Sequence, residues 1–462
     1  MNHKLLLSTA AAAFFLCLGA FAQPLTNLET GTVRPMTLKE CMQYALDKSA
    51  KLKIQQTDVD DAKVARRDAI LKAFTPAVEA GTYAYSNFGR SVDPETNTYV
   101  STTSFNNGYS VSAGIVLFNG FEAVNNVKIS KTSLMMGIEQ EQKLRDEICL
   151  ATMEAFYNVV YYTKLSVIVE GQVSTLKDAL ELVRRQEELG QKGYADLVQT
   201  QADLADMEYN LIVAQNNLAS ALITLKDIMF WEEDKDLVIN MEEVEQARTL
   251  TDADPIEESS AVADYAVEHN SSVLIAKGRM NNARLNLRTA KWKFTPYLSL
   301  NAGWSTSYYT YPGLAGYAPV PYGQQFRNNG GEYVQLSLSF LIFNRLLTFS
   351  NLRKMKNSYK RAEAEYDTVV RQVQAEVERA VQDRNGAAAA LNQAERRESV
   401  QDEAWRLNVK KFDQGLISPI DFRKASDNML NAKTERLNAL LKWHLKSSIV
   451  KYYNGISYID QY

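Results

Sequence analysis

The chain contains a long internal repeat. Tyr44–Asp47 and Tyr265–Glu268 begin two segments that end in Phe74–Pro76 and Phe294–Pro296, so the copies lie about 220 residues apart. Solenoid proteins repeat at roughly 20 to 50 residues, which is much shorter. The other matched landmarks are Leu117–Gly120 with Ile342–Arg345, Gly190 with Gly415, and Asp196 with Asp421. The repeat therefore predicts a fold made of two similar halves.

The N-terminus has the pattern of an export signal. Lys4 supplies positive charge, residues 5–18 are almost wholly apolar, and Ala20–Ala22 offers small residues for cleavage. We expect residues 1–22 to be a signal peptide and the mature chain to begin at Gln23. Cys17 lies inside the apolar stretch, so no lipid anchor is predicted. An uncleaved membrane anchor is the alternative, although the apolar stretch is short for a span.

Composition excludes some functions. The signal peptide carries one lysine, so the 51 basic and 55 acidic residues become 50 and 55 in the mature chain, a net charge of −5. This balance does not favour nucleic acid as a partner. Cys41 and Cys149 could form one disulfide, and this question stays open. With His269 and His444 as the only histidines after processing, no His/Cys metal cluster is expected.

Long helices are predicted in both halves, because no proline occurs between Pro94 and Pro255 or between Pro321 and Pro419. Two long helices should each reach roughly 100 Å. Apolar residues of the first one form two stripes, which suits a wall element with neighbours on both sides; an ordinary bundle helix is the alternative. We expect long helices over 121–189 and 346–414, and shorter ones over 37–73, 197–229, 258–293 and 422–452.

Each half also has two segments with period-two alternation, the pattern of a strand with one polar face. Each is about ten residues long, the length that a tilted strand needs to cross a bilayer. The predicted strands are 77–86, 109–118, 297–306 and 333–342, with Ile115 and Leu117 placed on one face. A soluble sandwich would alternate similarly.

Four strands cannot close a membrane barrel, since the smallest need about eight. The chain must oligomerise if they span lipid. Long polar loops, 87–108 and 307–332, connect the strands within each hairpin, as in outer-membrane barrels. The aromatic residues predicted to lie at the membrane interface are Phe118, Phe121, Tyr297, Trp304 and Phe343.

The domain boundaries follow from these elements. A first repeat covers 23–230 and a second covers 258–453. A periplasmic connection over 231–257 and a tail over 454–462 complete the chain.

The most specific pattern is a glycine followed six residues later by an aspartate, Gly190 with Asp196 and Gly415 with Asp421. Glycine readily ends a helix, and aspartate can cap the next one. A plain turn between antiparallel helices explains the pattern. Alternatively, the turns form the tip of a helical tube whose mouth the aspartates ring, favouring cations. No catalytic or nucleotide-binding motif stands out, so no enzyme and no cofactor is expected.

Both halves have the same order: helix, Phe-Thr-Pro, hairpin, Leu117–Gly120 or Ile342–Arg345, long helix, glycine–aspartate turn and returning helix. This duplicated order resembles that of the TolC family of outer-membrane efflux proteins. The resemblance covers nearly the whole mature chain. It departs at Arg345, where the family often has glycine, and at Thr200, where alanine is common.

The resemblance implies a mainly α fold and a homotrimer. Each chain would give four strands to a twelve-stranded barrel and its helices to a long periplasmic tunnel. A periplasmic adaptor and an inner-membrane transporter would complete an efflux pump or a type I secretion system. The turns at Gly190 and Gly415 would lie at the periplasmic entrance, where the family gates and docks its partners.

The leading hypothesis is a passive exit duct across the periplasm and the outer membrane. A soluble periplasmic helical scaffold is the alternative from another class. Heavy-metal efflux is an alternative within the first class, although no methionine or histidine cluster supports it.

Overall fold

A computed structural model describes residues 35–92, 97–101, 103–232, 235–241, 259–312, 314 and 316–462. The predicted signal peptide, 1–22, lies outside these residues, as does most of the predicted connection 231–257. Among the residues described, no helix carries an apolar stretch long enough to cross a bilayer.

Each half contains one helix of 67 residues, about 100 Å at 1.5 Å per residue, and a returning helix about half as long. This confirms both predicted long helices to within a residue or two. The helices are α1 (Leu38–Lys48), α2 (Ala50–Phe74), α3 (Glu122–Glu188), α4 (Tyr194–Met229), α5 (Ser259–His269), α6 (Ser271–Trp292), α7 (Tyr322–Asn328), α8 (Leu347–Asp413) and α9 (Pro419–Tyr453).

The first helix of each half is broken, and the predictions of single helices over 37–73 and 258–293 are wrong. Ser49 separates α1 from α2, and Asn270 separates α5 from α6. The Ser49 hydroxyl accepts the Leu52 N–H (3.2 Å), and the Asn270 side chain accepts the Ser272 N–H (2.9 Å). Such short polar side chains stabilise a new helix start in place of a continuous helix.

Four long strands form one antiparallel sheet in the order β1, β4, β5, β6. The predicted strands exist, but their boundaries differ: β1 ends one residue later, β4 begins five residues early, β5 extends four residues further, and β6 begins two residues early and excludes 340–342. The strands are β1 (Ala77–Asn87), β2 (Arg90–Val92), β3 (Tyr99–Ser101), β4 (Ser104–Phe118), β5 (Tyr297–Thr310) and β6 (Gly331–Ser339).

The predicted loops contain structure of their own. Strands β2 and β3 pair within the first loop, and α7 packs on β5 from the second. The buried Gln325 of α7 accepts the Tyr309 N–H (3.0 Å) and donates to the Tyr309 and Val320 carbonyls (2.9 and 3.1 Å). These bonds fix α7 against the outer end of β5.

Helices next to the sheet repeat its order, because each continues from a strand. Helix α2 packs on α3, α3 on α6, and α6 on α8. Further from the sheet, one apolar cluster joins α1, α3, α4 and α9, and includes the fully buried Met153 and Phe156. A second cluster near the far end contains Phe412 and Phe422, whose rings stack at 4.1 Å. The fold is therefore a rod carrying a small sheet at one end.

Candidate channel elements: the sheet and the helical tip

One face of the sheet is apolar across all four strands. Residues directly opposite one another in antiparallel strands share a face. A row of such residues runs Val78, Ala113, Ala302, Val334. Val334, Leu336 and Leu338 are all more than half exposed in the single chain. The sheet thus presents an uncovered apolar surface.

The opposite face is polar. The rows Gly114–Asn301–Gln335 and Val116–Ser299–Ser337 alternate with the apolar rows. Among the residues that the structure describes, β1 and β6 are each paired on one side only, so both edges of the sheet are open there. In a bilayer, a sheet with one apolar face, one polar face and two open edges would have to be a segment of a larger closed sheet, since unpaired edges are not tolerated in hydrocarbon.

A bulge between Val116 and Phe118 interrupts the predicted alternation in β4. Phe118, rather than Leu117, pairs with Leu298 of the apolar face. The prediction that Leu117 continues the row of Ile115 is therefore wrong, because a bulge adds one residue to one strand.

The five predicted interface aromatics separate into groups. The Phe118 ring lies 5.3 Å from Phe121, which lies 5.2 Å from Trp292 at the end of α6. Trp304 lies opposite Val111 on the apolar face. It is six residues beyond Leu298, about 20 Å along the strand, which is close to the height of the apolar band of membrane barrels.

Tyr297 and Phe343 lie elsewhere. Tyr297 pairs with Ser339 in a row of the polar face. Phe343 follows β6 and is 74% exposed. Sequence reasoning missed Trp292, whose position one turn before Pro296 was the available signal.

The far end of the rod consists of two helical turns of the same design. Gly190 and Gly415 have φ of 69° and 71°, the left-handed region that favours glycine. The Gly190 N–H donates to the Glu187 carbonyl at 2.9 Å, and the Gln191 N–H donates to the Gln186 carbonyl at 2.8 Å. The second turn has the same pair of bonds, from the Gly415 N–H to the Phe412 carbonyl and from the Leu416 N–H to the Lys411 carbonyl. Both long helices therefore end in Schellman motifs.

The returning helices begin three residues earlier than predicted, so Asp196 and Asp421 lie in the first turn, three residues after the N-cap, and not at the N-cap itself. The N-caps are Gly193 and Ser418. The Asp196 carboxylate accepts the Gly193 N–H at 3.4 Å, and Asp421 accepts the Ser418 hydroxyl at 2.7 Å. Both residues remain at the tip, where Asp421 is exposed and Asp196 is half-buried.

An ion network that sequence reasoning missed ties α4 to α9 near the tip. The Arg423 guanidinium donates to the carboxylates of Asp203 and Asp206, the latter at 3.1 Å. It also lies 3.7 Å from the carboxylate of Asp427. Asp203 is only 4% exposed, and its bond raises the pKa of Arg423. Asp203 falls between the buried Thr200 and Met207 on one face of α4.

Midway along the rod, the buried Asp146 borders a cavity of about 200 Å³. It accepts bonds from Gln142 (2.9 Å) and Tyr452 (3.0 Å). Burial, the largest effect, raises its pKa to about 6. Cys41 and Cys149 are free and buried, which raises the pKa of each thiol to about 12. No group of three or more His, Cys, Asp or Glu arranged for a metal occurs in the part of the chain that the structure describes.

A profile of the outer membrane efflux protein family matches residues 42–229 and 262–448, one block in each half. The chain is 21% identical over 301 residues to the outer membrane protein TolC of Vibrio cholerae, covering 63% of this chain and 64% of that protein. It is also 21% identical over 306 residues to TolC of Escherichia coli, covering 66% and 60%. It thus spans somewhat less than two thirds of those relatives.

Solved structures share the fold across most of the chain. The CusC structure superposes with a TM-score of 0.75 at 15% identity, covering 90% of this chain and 91% of that one. VceC of Vibrio cholerae gives 0.72 at 15% identity, with 92% and 96% covered. CmeC of Campylobacter jejuni gives 0.73 at 16% identity, with 92% and 85% covered.

The chain belongs to the outer membrane efflux protein family. This is a family of channels, and membership places the protein in the cell outer membrane with a periplasmic extension. It also confirms the resemblance and the fold class predicted from the sequence, a mainly α chain with a small barrel contribution. The soluble scaffold is thereby disfavoured.

Proposed function

We propose that the protein is the passive exit duct of a tripartite efflux pump or type I secretion system. Three copies close a twelve-stranded barrel on top of a helical tunnel. A periplasmic adaptor and an inner-membrane transporter supply the energy and the substrate. Size and lining charge then set selectivity, as in other pores.

The observation that carries this proposal is the sheet. Its two open edges, β1 and β6, lie at the ends of a four-stranded array with one apolar and one polar face. Pairing β1 of one copy with β6 of the next satisfies both edges. It also turns the apolar face to lipid and the polar rows to a lumen.

The tip supports a docking and gating role. Leu189, Tyr194, Leu416 and Ile420 are apolar and 65% to 73% exposed around the two turns. Exposed apolar residues clustered in this way are typical of a protein interaction site. Asp196 and Asp421 lie in the same helical turns as Tyr194 and Ile420, so three copies would place six carboxylates around the entrance.

Planar bilayer recording tests the proposal. The purified trimer should give discrete conductance steps with a preference for cations over anions. Trimers that insert and conduct no current would contradict the channel.

The same recordings test the entrance. Asp196→Asn with Asp421→Asn should reduce the cation preference, because six carboxylates lose their charge. Asp413→Asn is a matched control, since Asp413 ends α8 on the other side of the turn. An unchanged preference in the double variant would leave the two aspartates as structural residues only.

A further inference from the structure

A basic groove of about 920 Å³ lies between the first turns of α3 and the last turns of α6, next to the sheet. The exposed Met135 and the half-buried Leu285 add apolar side chains to its lining. Among the described residues, none of its cations makes an ion pair, and none of its lining residues is acidic. The exposed cations that line it are Lys128, Lys131, Arg284, Arg288 and Lys291.

The local charge runs against that of the chain. The net charge of the whole chain is −4, yet residues 271–293 contain six Lys or Arg and no Asp or Glu. The acidic residue nearest the sheet on α3, Glu122, is engaged by Lys293 at 2.9 Å. The lining residues therefore carry a net positive charge suited to an anion; Glu363, which accepts the hydroxyl of the lining residue Tyr359 at 3.1 Å, is an acidic group beside the groove.

The groove opens on the same side as the apolar face of the sheet. Phe118 belongs to that face, Phe121 contacts Phe118, and Trp292 contacts Phe121. Arg288 precedes Trp292 by four residues, so both project from one side of α6. On α3, Val124, Lys128, Lys131 and Met135 share one exposed stripe by the same spacing rule. In the proposed trimer, the tunnel interior would then lie on the other side of both helices.

The depth of the groove matches that of lipid headgroups. Lys291 is next to Trp292, and Arg288 and Arg284 lie one and two turns below it, about 6 and 12 Å. The headgroup layer of each leaflet is roughly 5 to 8 Å thick. At physiological ionic strength, electrostatic interactions act over about another 8 Å before salt screens them. All these cations thus lie within electrostatic reach of a phosphate at the membrane surface.

The groove would also stay open in an oligomer. Helices α3 and α6 are the two central members of the array α2, α3, α6, α8. Neighbouring copies would meet at the outer members, α2 and α8, which continue from the open edges of the sheet. Tyr359 of α8 lines the side of the groove toward that seam, but all five cations belong to α3 and α6, so a seam between copies leaves them uncovered.

We infer that this groove binds the headgroup of an anionic phospholipid in the periplasmic leaflet. The part of the acyl chains next to the headgroup would lie against Trp292 and Val124. The inference rests on the membrane placement required by the proposed function. Basic pockets at the ends of membrane elements bind anionic lipids in this way. Each copy of the chain supplies one site.

Native mass spectrometry of the purified protein tests the inference with phosphatidylglycerol and phosphatidylcholine of equal chain length. The unmodified protein should retain phosphatidylglycerol on the order of tenfold better. Arg284→Gln with Arg288→Gln should abolish most of this preference. Arg279→Gln with Arg361→Gln is the matched control. Arg279 lies nine residues from Arg288, two and a half turns away and therefore on the opposite side of α6.

Four results would overturn the inference. The unmodified protein could retain both lipids equally, or the groove variant could keep the preference. Alternatively, inorganic phosphate could displace phosphatidylglycerol at equal concentration, which would make the groove a site for free anions. A groove variant that loses adaptor binding while its lipid preference persists would assign the surface to a protein partner instead.

Conductance of the same samples separates this inference from the proposed function. Protein that forms conducting trimers without preferring phosphatidylglycerol would contradict the lipid site and leave the duct intact. Protein that prefers phosphatidylglycerol, with the groove variant losing that preference, but never conducts would contradict the duct and leave the lipid site intact.

Discussion

The turn between α3 and α4 and the turn between α8 and α9 have the same backbone, but their capping groups differ. Gly190 and Gly415 differ in φ by only 2° and make equivalent hydrogen bonds. The N-cap is Gly193 in the first turn and Ser418, with a capping hydroxyl, in the second. The two halves have kept the glycine that ends each long helix, whereas the residues that cap the returning helices have diverged.

Charges at equivalent positions differ more strongly. With a spacing of 225 residues between Gly190 and Gly415, Arg423 corresponds to Val198, and Asp203 corresponds to Asn428. The ion network of α4 and α9 therefore has no counterpart made by the reverse pair. In this contact between the returning helices, the first half supplies the anion Asp203 and the second half supplies the cation Arg423.

Removing the cation from this network should have the largest effect on stability. Arg423→Met leaves the buried Asp203 carboxylate without its charged partner, so we expect a loss of about 2 to 3 kcal/mol. This is below the loss for a fully buried pair, because Arg423 is 37% exposed. Urea unfolding of the detergent-solubilised protein measures it.

The matched control is Arg397→Met, which breaks an exposed pair with Glu435 between α8 and α9. Its loss should stay under about 1 kcal/mol. Equal losses in both variants would show that burial of Asp203 does not matter. Adding Asp203→Leu to Arg423→Met should restore most of the stability, because no buried charge then remains.

The sequence predicted the long elements well, because their signals are long. Two proline-free stretches and four alternating segments were sufficient to place α3, α8 and the four strands of the sheet. The glycines at 190 and 415 were also found, since only a helix end explains their position. The breaks at Ser49 and Asn270 were missed, because a single capping side chain competes with a helix pattern that continues on both sides.

The candidate sites were harder to predict because they depend on helix pairing. Arg423 and Asp203 are 220 residues apart, and nothing in either segment specifies the other. The basic groove likewise joins the start of α3 to the end of α6. The shift of Phe118 arises from a bulge, which adds a residue without a sequence signal strong enough to locate it.

A second prediction uses pH to compare the halves midway along the rod. Asp146 of α3 is buried, whereas the equivalent residue of α8 is the exposed Arg371. The pKa of Asp146 is raised to about 6 in the folded state, above the 3.8 of a free carboxyl. The folded state therefore disfavours the ionised form. Its stability falls as pH rises from about 4 to 6, and stays lower above that.

Asp146→Asn removes this penalty and can keep the bonds to Gln142 and Tyr452. The variant should gain on the order of 2 kcal/mol over the unmodified protein at pH 8, and little at pH 4. Unfolding at both values measures the difference. A gain of equal size at both pH values would contradict ionisation as the cause. Arg371→Gln should be neutral at both.

The smallest effect should come from the turn that leads into each long helix. Gly120 and Arg345 occupy equivalent positions with φ of 69° and 57°, so an arginine holds a left-handed conformation where the first half has glycine. Left-handed backbone costs a residue with a side chain about 1 to 2 kcal/mol, and the greater flexibility of glycine when unfolded offsets part of it. Arg345→Gly should therefore stabilise the protein by about 1 kcal/mol or less.

Gly120→Ala is the reciprocal change and should cost more than Arg345→Gly gains. A β carbon on Gly120 would lie 2.5 Å from the Trp292 carbonyl oxygen and 2.9 Å from the Thr295 hydroxyl, so it meets backbone as well as strain. If the two changes had equal and opposite effects, the first turn would be no more crowded than the second. An unequal pair would show that packing against α6 fixes the glycine in the first half, while the second half tolerates arginine.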